Sequence, residues 1–411
     1  MSSITEEIAL AAFAEVFGGQ PSAIGRAPGR VELLGNHTDY NGGLVLAAAI
    51  DRWTVVVGRA VPGQDSRVFS ANFGELETFE IDSIAPGHPS ESWARYVRGV
   101  TWIMNQWVGP LASGFEVALT GDVPIGAGLS SSASLQAAFA MFLIGADLTS
   151  RPGEFAEKSE SHRLELAHAL RRSENEYVGV ASGLLDQFST LFGKAGHAFV
   201  LDCRTLEHEI LSLGNPPPAI VVCDSKTSRR LADGQYNRRR AECERVVEHF
   251  QNKKPEQNIR QLRDITLDEL RDEWSTLDPV GRLRARHVLT ENDRVTAGAA
   301  ALRSGDLIRF GSLMSASHVS SRDDFENSSP ALDALFEAAE ESPGFLGGKL
   351  SGAGWAGCTV NLVRTDDAES FAESLRSGYD RRTGLVPDVH ICHAAAGATS
   401  FSLTNRQGER N

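Results

Sequence analysis

The sequence predicts a two-domain protein in which short strands and helices are mixed rather than segregated into blocks, and three observations carry that prediction. The chain has 411 residues, more than one hydrophobic core usually supports. Apolar or β-branched runs alternate with segments of helical spacing along its length. The stretch Gly214-Asn215-Pro216-Pro217-Pro218 sets three prolines in a row, where neither a helix nor a central strand can continue. The division is placed there, giving residues 1–214 and 215–411.

In chain order, Trp53 to Arg59 and Phe115 to Leu119 read as strands, because β-branched and aromatic side chains suit a pleated, half-buried surface. A helix is expected to begin near Ser131 and to carry the apolar stretch Ala137 to Leu143. Leu164, Ala167 and Leu170 share one face of another helix. His197 to Asp202 and Ala219 to Cys223 are strands on either side of the proline run, and Gln251 to Gln257 reads as a polar loop. Leu307, Phe310 and Met314 align on a helix face, and Cys358 to Val363 and Val389 to Cys392 read as the last strands. The tail after Phe401 is expected to fray, and no internal repeat is present.

Composition narrows the function classes. An apolar fraction of 41% with 39 glycines fits a globular enzyme and argues against disorder. A formal charge of −14 argues against nucleic-acid and anionic-membrane partners, which need a cationic surface. Cys203, Cys223, Cys243, Cys358 and Cys392 are odd in number and widely spaced, which indicates neither a disulfide framework nor a zinc site. Glu6 and Glu7 stand where a signal peptide needs positive charge, and no apolar run has membrane-spanning length. A reducing cytoplasm is the expected compartment.

Three glycine-rich segments carry the chemistry. The first, Val123 to Ser134, reads VPIGAGLSSSAS and runs straight into the expected helix. Such a loop can cradle phosphate, because glycines let backbone N–H groups approach an anion and a helix N-terminus points its positive end at the same spot. Taken alone, it reads more readily as a small-residue turn that starts a buried helix. The second, Ala27 to Gly43, sets Arg30, Asn36, His37 and Asp39 between glycines, offering donors and acceptors suited to a polyol. Taken alone, it could be a solvated hairpin. No second histidine or cysteine stands at ligand spacing from His37, so hydrogen bonding is expected of it rather than metal binding. The third, Gly352 to Gly357, formally matches GxGxxG, but strand character follows it where a dinucleotide fingerprint needs a helix. Walker A and protein-kinase signatures are absent.

Together these segments resemble the GHMP small-molecule kinases and, within them, the galactokinase branch. The Arg30 to Asp39 stretch is similar to that branch's substrate signature, the serine loop to its PxxxGLSSSAS phosphate loop, and the third segment to its C-terminal glycine motif. Ser173 to Tyr177, Gly183 to Phe188, Gly196 to Glu207, Tyr236 to Arg240 and Arg322 to Glu326 extend the resemblance. It implies a two-domain α+β fold, with an N-terminal domain like ribosomal S5 domain 2, a ferredoxin-like C-terminal domain and the active site in the cleft between them.

The resemblance further implies an ATP-dependent sugar 1-kinase, a phosphotransferase with an alcohol group as acceptor that converts galactose and ATP to galactose 1-phosphate and ADP. Asp186 would be the catalytic base, with Arg30 beside it. Asn36, His37, Asp39, Gly183 and Tyr236 would hold the sugar. Gly126, Gly128, Ser130, Ser131 and Ser132 would hold ATP phosphates, with Asn72 and Trp93 at the adenine. Ser132 and Glu174 would ligate Mg²⁺, a hard cation suited to oxygen donors. The family is often monomeric, and a monomer is expected.

Three departures from the family pattern stand out. Asn36 replaces a glutamate that reaches the C6 hydroxyl, which opens galacturonate or L-arabinose as alternative substrates. Glu32 replaces an asparagine and is expected to pair with a neighbouring cation. The third segment reads GAGWAG in place of GGGFGG. A sugar sensor without catalysis is the reading from another class, and the retained serine loop, Arg30 and Asp186 stand against it.

Overall fold

The computed structural model describes residues 3–87, 92–149, 159–180, 182–227 and 234–403. Its helices are α1 (Ile4–Phe17), α2 (Ala94–Trp107), α3 (Ser131–Gly145), α4 (Glu160–Arg172), α5 (Leu185–Phe192), α6 (Gln235–Lys253), α7 (Leu267–Asp272), α8 (Pro279–Ser304), α9 (Leu307–Ser320), α10 (Pro330–Glu340) and α11 (Ala368–Thr383). Strands β1 (Ala23–Leu34), β2 (Leu44–Val61), β3 (Asp65–Ser70), β4 (Glu75–Glu80), β5 (Gly114–Gly121), β6 (His197–Asp202) and β7 (His208–Ser212) form one sheet, which β12 (Thr399–Ser402) joins at the β1 edge. Strands β8 (Ala219–Asp224), β9 (Phe345–Leu350), β10 (Cys358–Val363) and β11 (Asp388–Cys392) form an antiparallel second sheet in the order β11-β8-β10-β9.

Local chemistry accounts for several boundaries. Ser3, Asp278 and Ser329 accept from N–H groups in the first turns of α1, α8 and α10, and proline opens the latter two helices, where its missing donor costs nothing. The 18-residue β2 divides its pairing, Leu44–Ala47 with β6 and Thr54–Val61 with β5, so the first sheet forks. A β-carbon on Gly25 would lie 2.1 Å from the Ala138 carbonyl oxygen, so this glycine lets α3 press directly onto β1.

Two cores matter for the site. Beneath α3, Phe115, Phe139, Phe142, Phe188 and Phe199 are packed with almost no exposure. A second core joins Val31, Leu33, Leu46 and Ile50 of the first sheet to Ile220, Val222, Val360 and Leu362 of the second, with Phe310 and Met314 of α9 above them. The long central strands are therefore clamped between both halves of the chain.

The six strand readings all fall on observed strands, and both helix faces lie on α4 and α9. One reading is corrected: residues 251–253 belong to the last turn of α6, because Val246, Val247 and Phe250 continue its apolar face into a local core. Phe401 and Ser402 belong to β12, while the rest of the expected frayed tail, from 404, lies outside the described residues. Among the described residues, no helix is long and apolar enough to cross a membrane.

Candidate active site

The serine loop delivers its backbone to a cleft of about 540 Å³ lined by Arg30, Asn72, Trp93, Gly126, Gly128, Ser130, Ser131, Ser132, Asp186, Gly352 and Ala353. Gly126 and Gly128 hold φ of 78° and 75°, a left-handed turn that a β-carbon would strain. Ser130 enters the same region at φ 58° and begins α3 without a side-chain cap. The first-turn N–H groups of α3 thus keep their donor capacity for a ligand. The Ser130 hydroxyl is buried without a hydrogen-bond partner among the described residues. An orphaned donor beside an uncapped helix start suits an anion.

Arg30 and Asp186 meet at the inner wall of this cleft. The Arg30 guanidinium donates to Asp186 Oδ1 from Nε at 2.9 Å and from Nη2 at 2.5 Å, and to the Gly128 carbonyl from Nη1 at 2.5 Å. One side chain therefore locks the phosphate loop to the carboxylate. Both bonds fall on Oδ1, leaving Oδ2 without a partner among the described residues on a side chain that is 29% exposed. Such an oxygen can take a proton from an incoming hydroxyl while Arg30 holds the group in place.

Glu174 is 4% exposed, although a glutamate in so charged a stretch normally faces water. A π-helical turn over Ser173–Val178 adds the residue that swings it inward. Its Oε1 accepts from Ser132 Oγ at 3.2 Å, and its Oε2 from Ser182 Oγ at 2.8 Å and Gln187 Nε2 at 2.6 Å. Burial, opposed in part by the Ser182 bond, raises its pKa, and the Asp186 charge pushes the same way. A cation would relieve that cost, and the Ser132–Glu174 pair at the start of α3 is the oxygen set that Mg²⁺ takes alongside phosphates.

The second segment is arranged differently. His37 and Asn36 are 4% and 1% exposed. Burial holds His37 down at about 3, so its ring is neutral. Since a carbonyl only accepts, Nε2–H donates to Ala353 O at 3.0 Å and Nδ1 accepts from the Tyr40 hydroxyl at 3.0 Å. Asn36 Nδ2 donates to Gly352 O at 2.8 Å and to Glu32 Oε1 at 3.3 Å, and its Oδ1 accepts from Asn327 Nδ2 at 2.9 Å. Both side chains, expected on the sugar, are instead engaged with the protein and pin the third glycine segment. That segment is the β9–β10 turn, consistent with its rejection as a dinucleotide fingerprint.

Asp39, Gly183 and Tyr236 do converge. A β-carbon on Gly183 would lie 2.7 Å from Asp39 Oδ2, so that residue must be glycine for Asp39 to stand there. Burial, then the Glu32 charge and, more weakly, that of Asp186 push Asp39 up to about 6, a backbone N–H bond opposing them. Burial and the Asp39 charge likewise raise the Tyr236 phenol, whose ring lies 5.5 Å from His37 and 5.4 Å from Tyr40. Carboxylates and aromatic faces thus stand together here, the mixture that a polyol with one apolar face needs.

At the far end of the cleft, Trp93 lies parallel to Phe73 with centroids 6.4 Å apart and donates to Glu75 Oε2 at 2.8 Å. Asn72 exchanges hydrogen bonds with the Gly121 backbone at 2.9 and 2.8 Å, so it stiffens this rim. Sequence reasoning missed Phe73 and Tyr96, which line the same end, and Asn327 and Lys349, which brace the second segment. Adjacency to Asn72 is the only signal that could have marked Phe73. Lys349 is the cation expected beside Glu32, at 3.0 Å. Among the described residues no group of three or more His, Cys, Asp or Glu side chains converges on a metal, and no disulfide joins any of the five cysteines.

Comparison with known proteins gives the same division of the chain into signatures. The galactokinase galactose-binding signature matches residues 11–60, the GHMP kinases N terminal domain residues 95–194, and the GHMP kinases C terminal domain residues 299–381. A galactokinase of Roseiflexus sp. is 41% identical over 385 residues, covering 94% of each chain. One of Chloroflexus aurantiacus is 40% identical over 392 residues, covering 95% of this chain and 96% of the relative. The crystal structure of Lactococcus lactis galactokinase complexed with galactose superposes with a TM-score of 0.86 at 32% identity, covering 95% of this chain and 98% of that one. With its fold, its serine loop and its substrate signature all in register with these relatives, the chain belongs to the galactokinase family of the GHMP kinases.

Proposed function

We infer that the protein is an ATP-dependent galactokinase that transfers the γ-phosphoryl group of ATP to the anomeric hydroxyl of D-galactose. The observation that carries this reading is the Arg30–Asp186 pair bonded to the phosphate loop. The C1 oxygen forms the new bond to phosphorus, the bond to the ADP oxygen breaks, and the hydroxyl proton passes to Asp186 Oδ2. Arg30 offsets charge on the transferring group, where preorganised donors act most strongly. The α3 N–H groups and Ser130 hold the phosphates, and Trp93 with Asn72 borders the base. Asp39, Gly183 and Tyr236 form the sugar side, while His37 and Asn36 act by positioning. Ser132 and Glu174 fit Mg²⁺, which would screen the phosphate charges. We further place the domain division at 214/215, because β8 opens the second sheet at Ala219.

The test is ADP release across galactose, glucose and N-acetylgalactosamine, with Asp186→Asn in parallel. Galactose-dependent turnover lost in the variant is expected. Full turnover in the variant would remove Asp186 as base, and silence on all sugars would overturn the kinase.

A further inference from the structure

Beneath the sugar side lies a buried ion pair that the mechanism above does not use. Lys349 is 0% exposed and donates from Nζ to Glu32 Oε1 at 3.0 Å and to Leu350 O at 2.9 Å. Asn36 Nδ2 adds a bond to the same Oε1. Buried ion pairs seldom stabilise relative to well-packed apolar residues, so stability alone does not explain a carboxylate and an ammonium here. The geometry supplies another reason. Both bonds converge on Oε1, while Oε2 takes none from the described residues and the side chain retains 10% exposure.

The direction of that opening is set by the strand. Side chains alternate along β1, and Val31 and Leu33 enter the apolar core, so Arg30 and Glu32 share the opposite face. Two residues of strand separate their backbones by about 6.6 Å, so the two side chains can meet different ends of one small sugar. Glu32 and Asp186 both act electrostatically on Asp39 and on Tyr236, so the two carboxylates stand near the same pair of residues. Asn36, the residue expected at the far end of the sugar, has its amide engaged with the protein on both sides.

We propose that Glu32, held in place by Lys349, is the specificity-determining residue for the sugar, its free Oε2 accepting the C6 hydroxyl and excluding a carboxylate there. This rests on the sugar-kinase reading and deepens it. Asn36 therefore does not open the site to galacturonate. The negative charge stands on the strand four residues earlier.

The experiment compares kcat/KM for galactose, 6-deoxygalactose and galacturonate in the unmodified enzyme and in Glu32→Gln/Lys349→Met, which removes both charges at similar volume. The unmodified enzyme is expected to prefer galactose over the 6-deoxy sugar by about 10²-fold or more, because a site built around a hydroxyl rejects the analogue lacking it. In the folded double variant galactose KM rises about tenfold or more, kcat changes far less, and discrimination against galacturonate falls by at least a similar factor. A merely structural pair would lower the melting temperature and leave these ratios alone. Unchanged ratios in a folded variant overturn the assignment of Glu32 and leave the kinase standing. If the variant does not fold, equal kcat/KM for galactose and the 6-deoxy sugar in the unmodified enzyme overturns it by itself. Absence of any sugar-dependent ADP release overturns both readings together.

Discussion

The phosphate loop and the sugar signature are both polar, glycine-rich and clustered on the same cleft, yet they handle hydrogen bonds in opposite ways. Around Ser130 the donors are left open: α3 lacks a side-chain cap and a buried hydroxyl has no partner among the described residues. Around Asn36 and His37 nearly every polar atom is engaged, with Gly352 and Ala353 carbonyls, Tyr40 and Asn327 as partners. The first arrangement awaits a ligand that brings its own charge. The second builds a rigid wall, and in the proposed reading it leaves Asp39, Gly183, Tyr236 and the free carboxylate oxygens of Glu32 and Asp186 to the sugar. A motif match therefore tells where a site lies, while the hydrogen-bond inventory tells which of its residues remain available to substrate.

The largest effect expected of any change lies where the two regions meet. Asp186→Asn keeps an acceptor for Arg30 but removes the proton acceptor, so kcat should fall by about 10²–10⁴-fold with galactose affinity little changed, measured by turnover and by calorimetric titration. A loss of binding as large as the loss of kcat would make Asp186 a sugar ligand and blur the comparison.

On the open side, Glu174→Gln removes the charge from the Ser132–Glu174 pair while keeping its shape. The Mg²⁺ concentration for half-maximal rate should rise about tenfold or more, read from a Mg²⁺ titration at fixed ATP. An unchanged titration would mean that the ion is held by the nucleotide alone. On the engaged side, Asn327→Ala removes the shorter bond to Asn36 Oδ1, which keeps the Ser321 hydroxyl at 3.4 Å, and leaves the Ala353 carbonyl to His37. Losing a buried hydrogen bond costs about 0.5–1.5 kcal/mol, and KM for sugar and for ATP should rise together, since the same loop borders both. A rise in one alone would break the link between the two regions.

Much of the site was legible in the sequence because its residues are local in the chain. Gly126, Gly128 and Ser130 had to be near one another, and the helix that follows them is marked by its apolar run. The strands were found where β-branched residues dominate, as in β8 and β10. What could not be read were contacts made across long separations: Arg30 to Asp186, Asn36 to Asn327, Glu32 to Lys349. Nothing local distinguishes Lys349 from a solvated lysine, and only the packing of β9 beside β10 buries it. The protein partners of Asn36 and His37 were hidden for the same reason, since they lie more than three hundred residues away on the third glycine segment.

The smallest expected effect is also the one that separates the two regions most sharply. Asp39 carries a carboxyl raised from 3.8 to about 6, chiefly by burial and then by the Glu32 charge. Its folded value exceeds its unfolded one, so it favours folding fully below the unfolded value. That contribution is lost as pH rises from about 3.8 through about 6, and above this the ionised group weighs against the native state. A shift of this size corresponds to about 3 kcal/mol at most, less where the side chain keeps contact with water. Asp39→Asn is thus expected to melt at a higher temperature than the unmodified protein at pH 8, with the gain gone at pH 4, while its galactose KM rises. In the unmodified enzyme the same group predicts a galactose KM that climbs as pH falls through about 6, because the protonated carboxyl loses an acceptor. If the variant instead melts lower at pH 8, Asp39 is held by partners as His37 is, and the open sugar face narrows to Tyr236, Glu32 and Asp186.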